Sequence, residues 1–151
     1  MELSLAIAES CGPDSCTVRR LDGGRLTARY GAHVLNRVKV RPGDLVALDT
    51  GAEPPAVVWR WWHGMVESVD GDRATVSRNH TQPTAEHSRR RAEDLPVAPD
   101  LSGVLRPGDA VFFGGDAGVL DVAKGGLPAH PERLQALLPS VLAAYDSLGA
   151  T

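Results

Sequence analysis

The three tryptophans of this chain all fall within one run of ten residues, Val57–Val66, which reads VVWRWWHGMV and also holds Arg60 and His63. Indole rings beside an arginine can stack on nucleobases and hold phosphates; the same rings also fill the thick part of a hydrophobic core. In an extended strand, Val57, Trp59, Trp61, His63 and Met65 share one face, and Val58, Arg60, Trp62, Gly64 and Val66 share the other. The first face is almost wholly apolar, so Trp59 and Trp61 are expected in the core. The second sets Trp62 near Arg60 and an interior glycine, which makes Trp62 the candidate stacking ring. A bulge would exchange the two faces.

Cations that could hold phosphates are concentrated elsewhere. From Thr17 to Arg41 there are seven Lys/Arg and one acid, a net charge of +6, although the whole chain carries −3. The blocks that follow alternate in sign: −5 over Pro42–Asp72, +4 over Arg73–Arg91 and −5 from Ala92 onward. A polarised molecule can present a basic face despite an acidic total. Arg19 and Arg20 lie in TVRRL, and Arg25 and Arg29 in RLTARY. These arginines are expected on the solvent face of one hairpin. A second arginine cluster, HSRRRAED at His87–Asp94, could grip phosphates, but the acids on both sides favour a solvated turn.

Catalytic signatures are missing from the sequence. FFGGDAGVLDVAKGG has glycines but no Gly-Lys-Ser/Thr close, there is no G-x-S-x-G elbow, and the five histidines show no metalloprotease or deaminase spacing. Asp116 and Asp121 read as turn and strand-edge residues. Cys11 and Cys16, the only cysteines, flank the turn in CGPDSC. They would bridge only if the flanking strands are neighbours, and an intracellular chain would keep them reduced. Two thiols do not make a zinc site. The expectation is a protein that is not an enzyme and uses no metal or cofactor.

The elements that must position these residues are mostly strands. Sixteen glycines and eleven prolines punctuate short apolar runs, which favours a turn-rich β protein. ELSLAIAES is a strand. CTVRRL, the turn DGG and RLTARYG form a hairpin, since Asp-Gly and Gly-Gly supply the positive φ that a tight turn needs. RPGD then turns into the strand LVALD, and the tryptophan strand returns through DGD into RATVSRN. Residues 80–102 lose alternation and read as an irregular connection. RPGDAVFFGG and GVLDVA add strands. HPERLQALLPSVLAAYDSLGA is helical, with Pro131 in its first turn and Pro139 splitting or kinking it. The expected fold is mostly β: a small OB- or SH3-like barrel over residues 1–79, the connection 80–102, and further strands with a C-terminal α-helix over 103–151. RPGDLV (Arg41–Val46) recurs as RPGDAV (Arg106–Val111); this reads as reuse of a strand-entry turn rather than a duplicated unit.

The stretch Ser15–Asp49 resembles the first three OB-fold strands of the translation initiation factor one family. The likeness rests on Asp22 and Gly23 in the hairpin turn, Gly31, Arg37 and Lys39 in a basic loop, and Pro42, Gly43, Asp44 and Val46 opening the next strand. It implies an OB-fold, an RNA partner, and phosphate contacts from Arg29, Arg37 and Lys39. The residues after Asp49 have no counterpart in that family.

The functional expectation is therefore non-catalytic binding of RNA or single-stranded DNA. Arg19, Arg20, Arg25, Arg29, Arg37 and Lys39 would lie on phosphates, and Trp62 with Arg60 on bases. The alternative is a protein–protein interaction module on the same barrel. The N-terminal run has no basic segment and is too short for a secretory signal, and no stretch is long and apolar enough to span a membrane. The expected location is cytoplasmic, with no membrane partner.

Overall fold

Ten strands, most of them parted by glycine-bearing segments, form among the residues that the computed structural model describes, which are 2–31, 40–78, 92–114, 118–140 and 143. They are β1 (Leu3–Cys11), β2 (Ser15–Arg20), β3 (Arg25–Tyr30), β4 (Leu45–Asp49), β5 (Ala56–Asp70), β6 (Arg73–Arg78), β7 (Ala92–Pro96), β8 (Ala110–Gly114), β9 (Gly118–Lys124) and β10 (Leu127–Pro128). One short helix, α1 (Pro131–Gln135), follows. A turn at 136–137 interrupts it, and helical residues resume at 138–140, with Pro139 near the start of the new segment, where its missing N–H costs little. The protein is mostly β and barrel-like, with a short C-terminal helix. No helix among the described residues is long and apolar enough to cross a membrane.

The chain divides into two units, Met1–Trp61 with Pro131–Thr151, and Trp62–His130, so the division falls inside β5. In the first unit, β1 pairs β2, β2 pairs β3, β5 pairs β4 and β4 pairs β1, all antiparallel. The parallel pairs Arg29↔Ala56 and Tyr30↔Val57 join β3 to β5 and close a ring of five strands. Ala8, Cys16, Val18, Val46, Leu48 and Val57 fill it.

The second unit repeats this order. Its β5 residues pair β6 and β8, β6 pairs β7, and β8 pairs β9. A parallel bridge, Val97↔Val119, closes the ring where β3 meets β5 in the first. The core residues correspond one to one: Val66, Ala74, Val76, Val111, Phe113 and Val119 occupy the places of the six named above. Ala8–Val18, AESCGPDSCTV, matches Val66–Val76, VESVDGDRATV. In both segments the register slips across the glutamate, between Ala8 and Ser10 and between Val66 and Ser68.

The two RPGD turns are also equivalent. Asp44 Oδ2 accepts the Arg41 N–H at 2.9 Å, and Asp109 Oδ2 accepts the Arg106 N–H at 2.9 Å. Gly43 and Gly108 supply φ of 96° and 94°, a region closed to most side chains. The recurrence of RPGD is thus one part of a repeat that runs through both units, not reuse of an isolated turn.

The expectation of an irregular connection over 80–102 is corrected at its C-terminal end. Ala92–Pro96 is strand β7, and Pro99–Leu101 is a 3₁₀ turn. The sequence AEDLP hides the strand because only Leu95 is buried and a proline closes it, which a strand with little pairing on one side tolerates. Residues 79–91 lie outside the described residues.

Gly64 holds the place of Ala6 in the first ring, and Phe113 that of Leu48. A Cβ on Gly64 would meet the Ser77 carbonyl oxygen and would lie 2.6 Å from Phe113 Cε1. The larger ring occupies space that the missing methyl leaves. Gly64→Ala is expected to destabilise the protein by about 1–3 kcal/mol in urea unfolding through overpacking. Adding Phe113→Leu, which copies the first ring, should recover the part due to the phenyl ring.

Candidate nucleic-acid interface

β2 and β3 are held by the turn expected from LDGG. Asp22 Oδ1 accepts the Gly24 N–H at 3.0 Å, and the Arg20 N–H reaches the Gly24 carbonyl at 2.7 Å. The register pairs Ser15 with Arg29, Thr17 with Thr27 and Arg19 with Arg25. Cys16, Val18 and Ala28 point into the core, so by strand alternation these three pairs line the outward face. Arg19, Arg25 and Arg29 thus share one surface, with Arg25 and Arg29 exposed. Arg20 follows Arg19 directly and takes the opposite parity, across from Ala6, so it does not join them. Arg37 and Lys39 lie outside the described residues.

Glu9, the bulged residue of β1, borders this face. Arg25 Nε donates to Glu9 Oε1 at 2.8 Å in an exposed pair. That hydrogen bond, with the charges of Arg25 and Arg19, holds the Glu9 carboxyl below its ordinary range despite some desolvation. Glu9 therefore stays ionised and offsets part of the positive charge.

The tryptophan strand departs from simple alternation. Opposite the Ala47–Leu48 step the register slips, so Val57 pairs Leu48 whereas Trp59 pairs Ala47, Arg60 pairs Val46 and Trp61 pairs Leu45. This bulge at Val58 turns Arg60 to the side of the core residue Val46. Arg60 Nη1 lies 3.1 Å from Asp44 Oδ2, and each side chain is 5% exposed. Arg60 is therefore not a surface cation, contrary to the expectation that it would contact bases.

Trp62 is half-buried and packs against the core of the second unit, its ring 5.7 Å from that of Phe113 and tilted at 33°. Trp61 is buried and Trp59 half-buried, on the face opposite Arg60. His63 sits edge-on to Phe112 with centroids 5.6 Å apart, and burial lowers its pKa.

One couple escaped the sequence reading. Asp121 is wholly buried. Its Oδ1 accepts the Val122 N–H at 2.8 Å and meets His130 Nδ1 at 2.8 Å, and its Oδ2 accepts the His130 N–H at 2.6 Å. A carboxylate only accepts, so Nδ1 carries the proton. The couple anchors the end of the second unit. No spacing signal marks it, because strand pairing and the turn after β9 bring the two together.

No protein-family model and no curated protein matches the chain.

Because Arg60 and Asp44 are both desolvated, Arg60→Met removes the guanidinium that faces the buried Asp44 carboxylate, which keeps only its other bonds, such as that from the Arg41 N–H. The expected loss is about 3–5 kcal/mol in denaturant unfolding.

Proposed function

We propose that the outward face of β2 and β3 binds single-stranded nucleic acid, RNA or DNA, through its phosphates and without catalysis. One observation carries this reading: three arginines converge on that face of the first ring, and the equivalent positions of the second ring hold Ser77, Ala92 and Pro96. The fold does not demand cations at those three positions, since the second ring fills them with neutral residues. Guanidinium groups suit phosphate because their planar fork offers paired donors. Arg25 and Arg29 are separated by about 13 Å along β3 at ordinary strand rise, with Arg19 across from Arg25.

The small closed ring supports the same partner class. OB-folds are five-stranded Greek-key barrels that bind oligonucleotides on the face of strands two and three. That is where these arginines lie, and where the likeness to the initiation factor family directs attention. Arg37 and Lys39 remain in the proposal on their charge and their place in the chain after β3. With Trp62 partly packed against the core of the second unit, the binding proposed is led by phosphates, with weak preference among bases. A protein-interaction module on the first ring would need an apolar patch or an open strand edge there. Among the described residues Val104 is the one large hydrophobic side chain that is exposed, and the first ring is closed.

Fluorescence anisotropy of labelled single-stranded oligomers over a series of salt concentrations tests the reading. Log affinity should fall with log salt by about 0.7 per phosphate contact. Replacing Arg19, Arg25 and Arg29 together with alanine should reduce that slope by about 2. Glu9→Gln should tighten binding, because it frees Arg25. Arg73→Ala, on the matching face of the second ring, should leave affinity unchanged. A triple variant that binds as the parent does would overturn the assignment, as would affinity indifferent to salt.

A further inference from the structure

The β1–β2 turn carries a feature the binding reading does not use. The Gly12 N–H bonds the Ser15 carbonyl at 2.9 Å, which closes the turn. The next pair outward, Cys11↔Cys16, is therefore a non-hydrogen-bonded pair, the kind that brings side chains closest across two antiparallel strands. The two Sγ atoms lie 3.1 Å apart, both cysteines are free, and they differ in access: Cys16 is wholly buried and Cys11 partly exposed. Tyr30 Oη lies 2.8 Å from the Gly12 carbonyl and 3.1 Å from that of Ser15, bracing both sides of the turn.

The second ring acts as an internal control. Its residues at this place are Val69 and Ala74, paired in the same way. The fold is thus built equally well without sulfur, and packing alone does not call for thiols in the first ring. Among the described residues no third thiol, imidazole or carboxylate joins them in a metal-holding cluster.

We infer that Cys11 and Cys16 form a reactive dithiol that takes low-molecular-weight disulfides as substrate, with Cys11 as the attacking sulfur and Cys16 as the resolving one. Cys11 thiolate attacks one sulfur of the small disulfide. A mixed disulfide forms on Cys11, and one small thiolate leaves. Cys16 then gives up its proton and attacks Cys11 Sγ, expelling the second small thiolate and closing a Cys11–Cys16 disulfide. The two cysteines lose two electrons, and the small disulfide gains them, with two protons, as two thiols.

The assignment of roles follows from the surroundings. The hydrogen bond between the two sulfurs favours the Cys11 thiolate and lowers its pKa. That same bond, with burial, raises the pKa of Cys16. Asp44, paired to Arg60, opposes ionisation of both. The Tyr30 hydroxyl is pushed up to about 12, chiefly by burial, and keeps its proton. The more accessible sulfur is thus also the one that ionises first, as an attacking cysteine requires.

The reduced full-length protein can be treated with dithiobis(nitrobenzoate), a small disulfide whose released thiolate is coloured, and its mass measured afterwards. The wild type should release two thiolates per chain and end two hydrogens lighter, with no reagent attached. Cys16→Ala should release one and retain one adduct. Cys11→Val should react at least about tenfold more slowly than Cys16→Ala, because only the buried thiol remains. Both substitutions copy the second ring, so the fold should survive, and circular dichroism checks it. A wild type that ends with two adducts and no internal disulfide would refute the proposal. So would a Cys11→Val variant as reactive as Cys16→Ala.

Discussion

Each ring depends on a Pro-Gly-Asp turn seated on a bulged strand. In the first unit the Ala8 N–H bonds the Asp44 carbonyl at 2.9 Å, and the Gly43 N–H bonds the Ala8 carbonyl at 2.8 Å. In the second, Val66 makes the same two bonds with Asp109 and Gly108, each at 2.8 Å. The bulged glutamate bends the strand, the glycine turns the chain at positive φ, and the aspartate side chain closes the turn on its own backbone. Together they set the register of β4 on β1 and of β8 on β5. A slip of one residue would carry Val46 and Leu48, or Val111 and Phe113, out of the core. The outward arginines and the thiol pair owe their places to the neighbouring β1–β2 and β2–β3 registers, which the turns after Cys11 and Arg20 close.

Two rings of one design within one chain separate what the fold requires from what it carries. Apart from Arg60, the core positions named above are apolar in both rings and differ mainly in size, as Ala6 with Leu48 against Gly64 with Phe113. Positions on the outer face of the second and third strands differ in kind. There the first ring sets arginines, whereas the second sets serine, alanine and proline, with an exposed Arg73–Asp94 pair nearby. The buried Arg60–Asp44 pair is likewise confined to the first ring, since Val122 stands where Arg60 would. Its desolvation makes it poor evidence for added stability. It does explain why a cation in the tryptophan strand is unavailable to a ligand.

Legibility in the sequence followed turn chemistry. LDGG, RPGD and DGD mark real turns because glycine and aspartate have local reasons to be there, and the strands between them fell where expected. The spacing of Arg25 and Arg29 was also readable, since four residues along a strand return to the same face. Long-range pairing was not. The bulge at Val58 carries no glycine, and the interior Gly64 instead admits a close approach of Ser77 and Phe113. Arg60 looked like a surface cation because its carboxylate is sixteen residues away. The repeat stayed hidden behind loops of unequal length: equivalent residues are 58 apart in the first two strands, 67 in the third, 65 at the RPGD turn and 62 in the last strand.

The thiols and the arginines occupy opposite faces of the same three strands. Ser15, which pairs with Arg29 on the outer face, is adjacent to Cys16 on the inner one. A disulfide between Cys11 and Cys16 would cross-link residues that the register already holds in contact. The loop it closes has only four residues inside it, so in the chain-entropy picture it adds about 2 kcal/mol, near the low end for disulfides. Stability is therefore a poor reason for the pair to be present. The features that set it apart from Val69 and Ala74 are access and ionisation, and both concern reactivity. The same contrast applies to the arginine face, where the second ring sets Ser77, Ala92 and Pro96 at the positions of Arg19, Arg25 and Arg29. In both cases the residues least needed by the fold are the ones with chemistry to offer.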